Sequence, residues 1–340
     1  MKKIFFSLSL VAFLSFGCSS QKNRTKEVTS ADYLTGIKAE NLSKHLYIVA
    51  SDEMEGRDTG TPGQKKAGEY LIDFYKSKKI PFPTGATSYY QPIPSEFFKK
   101  QFSPKLPDSE NIWAFIEGSE KPEELLVISA HYDHVGMKNG EVYNGADDDG
   151  SGTVALLEMA AAFQKAKKDG NGPKRSILFL HVTGEEHGLH GSRFYTENPL
   201  FPLENTIANI NIDMIGRRGY GKEANDNYIY VIGSDRLSTD LHTWSEEANT
   251  KYIGMELDYK YNDLKDPNRF YYRSDHYNFA KRGIPAIFYF NGVHDDYHKA
   301  TDTPDKIDYP QLAKRAQLAF VVAWKLANNA ERPKVDRDGK

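Results

Sequence analysis

Cysteine is almost absent: the single residue of this type among 340 is Cys18, inside an N-terminal segment set apart from the rest of the chain. Beyond it neither a disulfide nor a thiolate metal ligand is available, so any metal site must be built from His, Asp and Glu. An excess of charge of one sign is lacking too, with 44 Lys and Arg against 47 Asp and Glu and a formal net charge of −3. No long Lys/Arg block lies among aromatics, and this balance argues against a polyanionic partner and against nucleic acid. Internal repeats and sharp composition shifts are missing as well, which favours one folded unit. Charged residues at 27% and hydrophobic ones at 39% are ordinary for a globular chain, so disorder is not expected over most of it.

What is present begins with an export signal. Met1-Lys2-Lys3 precede an apolar run over residues 4–17 that is too short for a permanent transmembrane helix. Its end, Leu14-Ser15-Phe16-Gly17-Cys18, resembles a bacterial lipobox, in which the cysteine is lipidated and becomes the new N-terminus; Ser15 stands where an aliphatic residue is usual. The expectation is a membrane-anchored lipoprotein facing the periplasm or cell surface, with a plain cleaved signal peptide as the alternative. Residues 19–30 (SSQKNRTKEVTS) read as a flexible polar tether, 31–330 as the folded domain and 331–340 as a polar tail.

Within the domain, apolar stripes predict helices over 39–51 and 62–79, with Pro62 suited to a first turn. Between them SDEMEGRDTGTPG reads as an ordered loop. An edge strand is predicted around 88–93. From residue 111 strand-like and helix-like segments alternate: strands over 111–116, 125–131, 176–183, 208–215, 228–233 and 286–291, helices over 151–168, 237–249 and 311–327. Continuous apolar strands such as ILFL and AIFYF suit a sheet covered on both faces, so the predicted fold is a three-layer α/β/α sandwich with a mostly parallel mixed sheet. The stretch 251–273, rich in Tyr, Asp, Asn and Lys, breaks the alternation as a cleft wall does, and Tyr259, Tyr261, Phe270, Tyr271 and Tyr272 are candidates to line a pocket.

Five metal-ligand candidates stand just past apolar runs or in the glycine-rich loop before the 151–168 helix: His131 in SAHYDH, Asp148 in NGADDDGSG, Glu186 in TGEEHG, Asp213 in NINIDMIG and His298 in DDYHKATDTPD. Open α/β sheets present ligands at the carboxyl ends of their strands, so these residues are expected on one rim. Each alone has a bland reading as a core histidine, a helix cap or surface charge. Their co-occurrence carries the case: two imidazoles and three carboxylates are what two zinc ions need if one carboxylate bridges them. Asp133, two residues past His131, is placed to accept the imidazole's other N–H. Adjacent Glu185 and Glu186 can point different ways, one toward metal and one toward the reacting water.

With HYDH, NGADDDGSG, GEEHGLHGS, NIDMIG and YHKATDTPDKID, and with ASDEMEGRDTGTPGQKKAGEYL in support, the chain resembles the aminopeptidase Y/aminopeptidase S family of co-catalytic di-zinc exopeptidases over residues 46–328. The resemblance implies the zinc-exopeptidase fold and two Zn²⁺, one held by His131 and Asp213, the other by Glu186 and His298, with Asp148 bridging. Asp147 and Asp149 stand where the family pattern often has asparagine. It further implies a cis peptide between Asp148 and Asp149, Glu185 as general base and Tyr297 as a donor to the developing oxyanion. Asp275, in the triplet Ser274-Asp275-His276, is expected to support the site from behind the ligands. His134, His187, His190 and His294 match no ligand position and are read as neighbours or surface residues. Peptides with a free N-terminus are the implied substrates. A glutaminyl-peptide cyclase, a dipeptidase or carboxypeptidase, and a non-catalytic binding domain of the same fold are the alternatives, and presence of every ligand and of Glu185 disfavours the last.

Overall fold

The computed structural model describes residues 1, 3–4, 29–101 and 105–339. Most of the expected export signal, Cys18 and most of the expected tether lie outside the described residues; Thr29 accepts the amide of Asp32, and Ser30 is buried just ahead of the first helix. In chain order the elements are α1 (Ala31–Leu34), α2 (Ala39–Val49), α3 (Pro62–Lys78), β1 (Tyr90–Ile93), α4 (Ser95–Lys100), β2 (Ser109–Ile116) and β3 (Lys121–His131). A small hairpin of β4 (Met137–Lys138) and β5 (Glu141–Val142) leads to α5 (Gly152–Lys168). Then come β6 (Arg175–Val182), α6 (His190–Glu197), β7 (Thr206–Ile212), β8 (Tyr228–Ile232), α7 (Thr239–Tyr252), β9 (Glu256–Asp258), α8 (His276–Ala280), β10 (Ala286–Phe290) and α9 (Tyr309–Asn328).

Eight strands form one sheet in the order β1-β2-β6-β3-β7-β10-β8-β9. Its centre, β6-β3-β7-β10, is parallel, with Ile128 of β3 opposite Phe179 and Ile210. Antiparallel pairing appears between β1 and β2, β2 and β6, and β10 and β8. Successive side chains of a strand face opposite ways. In β3, Leu126, Ile128 and Ala130 join Leu42, Leu71, Phe163 and Phe320 of α2, α3, α5 and α9, whereas Leu125 and Val127 join Tyr195 of α6 and Phe279 of α8. Apolar residues on both faces of one strand therefore require a helical layer on each side, and the result is the three-layer sandwich that the apolar runs predict.

Departures from the predicted elements have local causes. The helix expected from residue 237 starts at Thr239, because Ser238 Oγ accepts the amide of Leu241 and caps it, and it runs on to Tyr252. Asp308 caps α9 the same way through Gln311, which moves its start to Tyr309. β7 stops at Ile212, three residues short of the predicted end, as Met214 takes φ = 57° and turns the chain out of the sheet. Near the C-terminus Asp336 accepts the amide of Thr239, and Gly339 donates to the carbonyl of Arg236.

Candidate metal centre

Because β6, β3, β7 and β10 are parallel, their carboxyl ends share one rim, and the five expected ligands converge there. His131 is the last residue of β3 and Asp213 directly follows β7. Glu185 and Glu186 lie in the turn after β6, entered through Gly184 at φ = +68°; His298 lies in the loop after β10. Asp148 comes from the tight turn ahead of α5, and the peptide joining it to Asp149 is cis.

Asp148 sits between two groups. Its Oδ1 is 3.2 Å from His131 Nε2, which is also 3.6 Å from Asp213 Oδ1; its Oδ2 is 3.0 Å from His298 Nε2, which is likewise 3.0 Å from Glu186 Oε2. Glu185 Oε2 lies 4.0 Å from His131 Nε2, on the cleft side. The flanking carboxylates are engaged elsewhere. Asp147 accepts the amide of Gly216 and faces His294 at 3.1 Å, and Asp149 accepts the amides of His131, Gly152 and Met214.

Supporting contacts fix each member. Nδ1 of His131 lies 3.0 Å from the carbonyl of Asp133, to which it donates, so in the neutral ring Nε2 is the lone pair. The Asp133 carboxylate, expected to take that role, is farther at 3.7 Å; instead it accepts Thr59 Oγ1 and the amide of Glu185. Ser274 Oγ donates to Asp213 Oδ2 at 2.6 Å. Asp275, expected behind the ligands, hydrogen-bonds to Ser192 at the start of α6 and acts on His131 and Asp213 through its charge, while Ser274 of the same triplet makes the direct contact.

Two other residues hold the Asp148 turn, and neither was found from the sequence. Asp302 accepts the amides of Asp147 and Asp148. Arg57 is wholly buried and donates to the carbonyls of Val49, Tyr132, Asn144 and Gly145 at 2.6–2.9 Å. Arg57 sits in a stretch read only as an ordered charged loop, and its presence in a family-like motif was the one available signal.

Electrostatics favour a cation. Burial lowers the pKa of His131 but Glu185, Asp133, Asp148 and Asp213 hold it well above the ordinary value; His298, with burial likewise opposed by Asp148 and Glu186, is pushed up to about 10. Burial, reinforced by Asp213, Glu186 and Asp275 against His131, pushes the Glu185 carboxyl well up. His131 Nε2, His134 Nδ1, Asp148 Oδ2 and Glu186 Oε1 are buried and make no well-directed hydrogen bond, although they crowd one another. Close approach without direction is what ligand atoms aimed at shared cations produce. Two groups have ligand atoms all within 4.8 Å of one another: His131, Asp148 and Asp213, and His134, Asp148 and Glu186. All donors are nitrogen or oxygen, which suits zinc. The second group contains His134, which the sequence reading left among the non-ligands.

Beside these groups a small cleft of about 30 Å³ is lined by the carboxylates Asp148, Glu185 and Asp213 together with Met214, Phe270, Phe288, Phe290 and Val293. Tyr297 reaches the cleft with its ring stacked on His298 at 3.9 Å, and exposed Arg273 stands at its edge. Of the five aromatics expected to wall a pocket here, Phe270 does so. Tyr261, Tyr271 and Tyr272 line a separate pocket with Arg236 and Arg269, and Tyr259 borders another depression and lies against His242.

Residues 111–323 match the profile of peptidase family M28. A probable leucine aminopeptidase of Trichophyton verrucosum is 31% identical over 225 residues, covering 64% of this chain and 57% of that protein. A probable zinc metalloprotease of Pyricularia oryzae is 26% identical over 257 residues, covering 64% and 50%. The chain thus spans little more than half the length of these relatives. Among solved structures, the LapA aminopeptidase of Legionella pneumophila superposes with a TM-score of 0.67 at 23% identity over 89% of this chain and 75% of that one. An aminopeptidase from Aneurinibacillus sp. strain AM-1 gives 0.67 at 15% identity over 91% and 98%. At these identities the likeness is one of fold.

Proposed function

The chain belongs to peptidase family M28, and from that membership we propose that it is a zinc-dependent aminopeptidase that binds two zinc ions and removes apolar residues from the free N-terminus of peptides. His131 and Asp213 would hold one ion and Glu186 and His298 the other, with Asp148 shared between them. When bound, the zinc pair supplies Lewis acidity, acidifying water and polarising the scissile carbonyl. The observation that carries the reading is the division between adjacent glutamates: Glu186 faces His298 and the ligand cluster, while Glu185 lines the open cleft.

The residues divide the work. Glu185 Oε accepts the proton of the attacking water and returns it to the leaving amine. The apolar wall of Met214, Phe270, Phe288, Phe290 and Val293 takes the N-terminal side chain and excludes water from one side of the scissile bond. The Tyr297 hydroxyl, with its pKa raised by burial and by Asp148, Glu186 and Glu185, stays protonated at neutral pH and donates toward the developing oxyanion. The sequence relatives described as a probable leucine aminopeptidase and a probable zinc metalloprotease support this substrate class.

The test is a panel of aminoacyl reporter substrates with Leu, Lys and Glu at the first position and Nα-acetyl-Leu as control, each with and without chelator. Cleavage of the Leu substrate that chelation abolishes and zinc restores is expected, with none of the acetylated compound. Insensitivity to chelator, or equal cleavage of acetyl-Leu, refutes the reading. Two bound zinc ions per chain separate it from a single-zinc cyclase. For location, the charged and apolar start and Cys18 support export and lipid anchoring. Palmitate labelling that is lost in Cys18→Ser tests that proposal.

A further inference from the structure

The two halves of the centre are not equivalent. Around His131 the protein offers one imidazole and the carboxylates of Asp148 and Asp213. Around His298 it offers Asp148, Glu186 and a second imidazole, that of His134. Its Nδ1 lies 2.7 Å from Glu186 Oε1 and 3.8 Å from Asp148 Oδ2. Glu186 presents Oε1 to His134 and Oε2 to His298, and the two rings stand edge to face with centroids 5.7 Å apart.

The bland reading of His134 is a core histidine bonded to a carboxylate. Against it, His134 is wholly buried and neither ring nitrogen makes a well-directed hydrogen bond, and Glu186 Oε1 also makes none. The two atoms are in ion-pair contact at 2.7 Å, and a cation between them would satisfy both where no well-directed bond does. The chain also holds the ring there by construction. The amide of His134 donates to the carbonyl of Arg57, whose guanidinium ties down Tyr132, Asn144 and Gly145. Gly145, at φ = +54°, runs so close that an added Cβ would meet Cγ and Cδ2 of His134 at 2.4–2.5 Å. Only glycine leaves room for the imidazole in this position.

We infer that His134 is a fourth protein ligand of the second metal position, through Nδ1 and alongside Asp148, Glu186 and His298. The first position, with His131, Asp148 and Asp213, then keeps an open place. This inference rests on the two-zinc reading and makes it asymmetric: the four-ligand position is closed and tight, like a structural zinc site, and the three-ligand position is the exchangeable one.

The experiment loads the metal-free full chain with one equivalent of zinc and counts coordinating imidazoles by X-ray absorption. Two imidazoles on the tightly bound ion support the inference, and one overturns it. In parallel, competition titration against a chromophoric chelator measures both affinities in the wild type, His134→Ala and His134→Asn. The expected result is loss of the tight class by more than about 100-fold, beyond the 10- to 100-fold typical for removal of an outer partner. Wild-type affinities at both positions in a folded variant overturn it. A variant that does not fold leaves the imidazole count on the wild type to decide. If the wild type takes up no zinc, the two-zinc reading itself fails, a result distinct from two normal sites without His134.

Discussion

The backbone amide of Glu185 donates to Oδ1 of Asp133 at 3.2 Å, so the carboxylate that lies 3.7 Å behind His131 also fixes the start of the turn carrying the proposed base. Ligand and base are thereby positioned by one buried side chain. Asp133→Asn keeps an acceptor for Glu185 but removes the negative charge near His131. Zinc affinity is expected to fall by no more than about tenfold, below the 10- to 100-fold range for removing a partner behind a metal ligand, because the carbonyl that takes the His131 Nδ1 proton is kept. With zinc restored to saturation, kcat should stay within about tenfold of wild type, because the glutamate turn is retained. A kcat loss that saturating zinc does not relieve would contradict this division.

Glu185→Gln separates chemistry from metal binding most cleanly. The amide has the shape of the carboxylate but cannot take a proton, and loss of a general base typically costs roughly 10²–10⁴-fold in rate. We expect kcat to drop by that factor while zinc content and thermal stability stay at wild-type values. Metal analysis and steady-state rates on one preparation check both halves, and turnover within tenfold of wild type would exclude Glu185 as the base.

How much of this was readable in advance follows from where each signal resides. The strands and the five clustered candidates were legible because continuous apolar runs and the side chains at their ends are local patterns. α6 was not, since His190, Gly191, Ser192 and Tyr195, its buried face, carry almost no apolar stripe. α8, five residues long, is too short to show a period. Arg57 and Asp302 were missed because their partners lie 75–88 and 154–155 residues away along the chain, except Val49, and nothing local marks a charged residue as buried. His134 was one residue from Asp133 in a motif already singled out, yet three residues past His131 it looked like a bystander. Only the return of the Asp148 turn against it, through Gly145, reveals its surroundings.

Arg57 should prove among the most sensitive positions outside the ligand set. Among the described residues it has no salt-bridge partner; its donors go to four carbonyls, while Asp133, Asp148, Asp149 and Asp302 supply the surrounding negative charge. Arg57→Met leaves those carbonyls without donors and removes the compensating cation. At about 1–3 kcal/mol per buried group left unpaired, a loss of at least 3 kcal/mol is expected in urea unfolding. Arg57→Lys keeps the charge with fewer, differently directed donors and should fall between. Zinc uptake should weaken in both, since the pinned turn carries Asp148. A Met variant within about 0.5 kcal/mol of wild type would show that the guanidinium is dispensable.

Protons and zinc should compete for the same nitrogen. His298 is pushed up to about 10 by Asp148 and Glu186, so the metal-free protein holds a proton there at neutral pH that zinc must displace. Affinity for zinc is then expected to rise by about tenfold per pH unit for each displaced proton, and zinc added to weakly buffered protein at pH 7 should release acid. The sign for stability follows from the same shift. The folded-state value lies above the ordinary histidine value of about 6.5, so protonated His298 stabilises the metal-free fold fully below that pH. This contribution is lost as pH climbs toward about 10. Metal-free protein should therefore lose thermal stability between pH 6.5 and 10 by more than His298→Ala does. Zinc-loaded protein should show no such loss over the same window, because the metal, not a proton, then occupies Nε2. Equal pH profiles for the metal-free wild type and His298→Ala, with no acid released on zinc addition, would remove His298 from the centre.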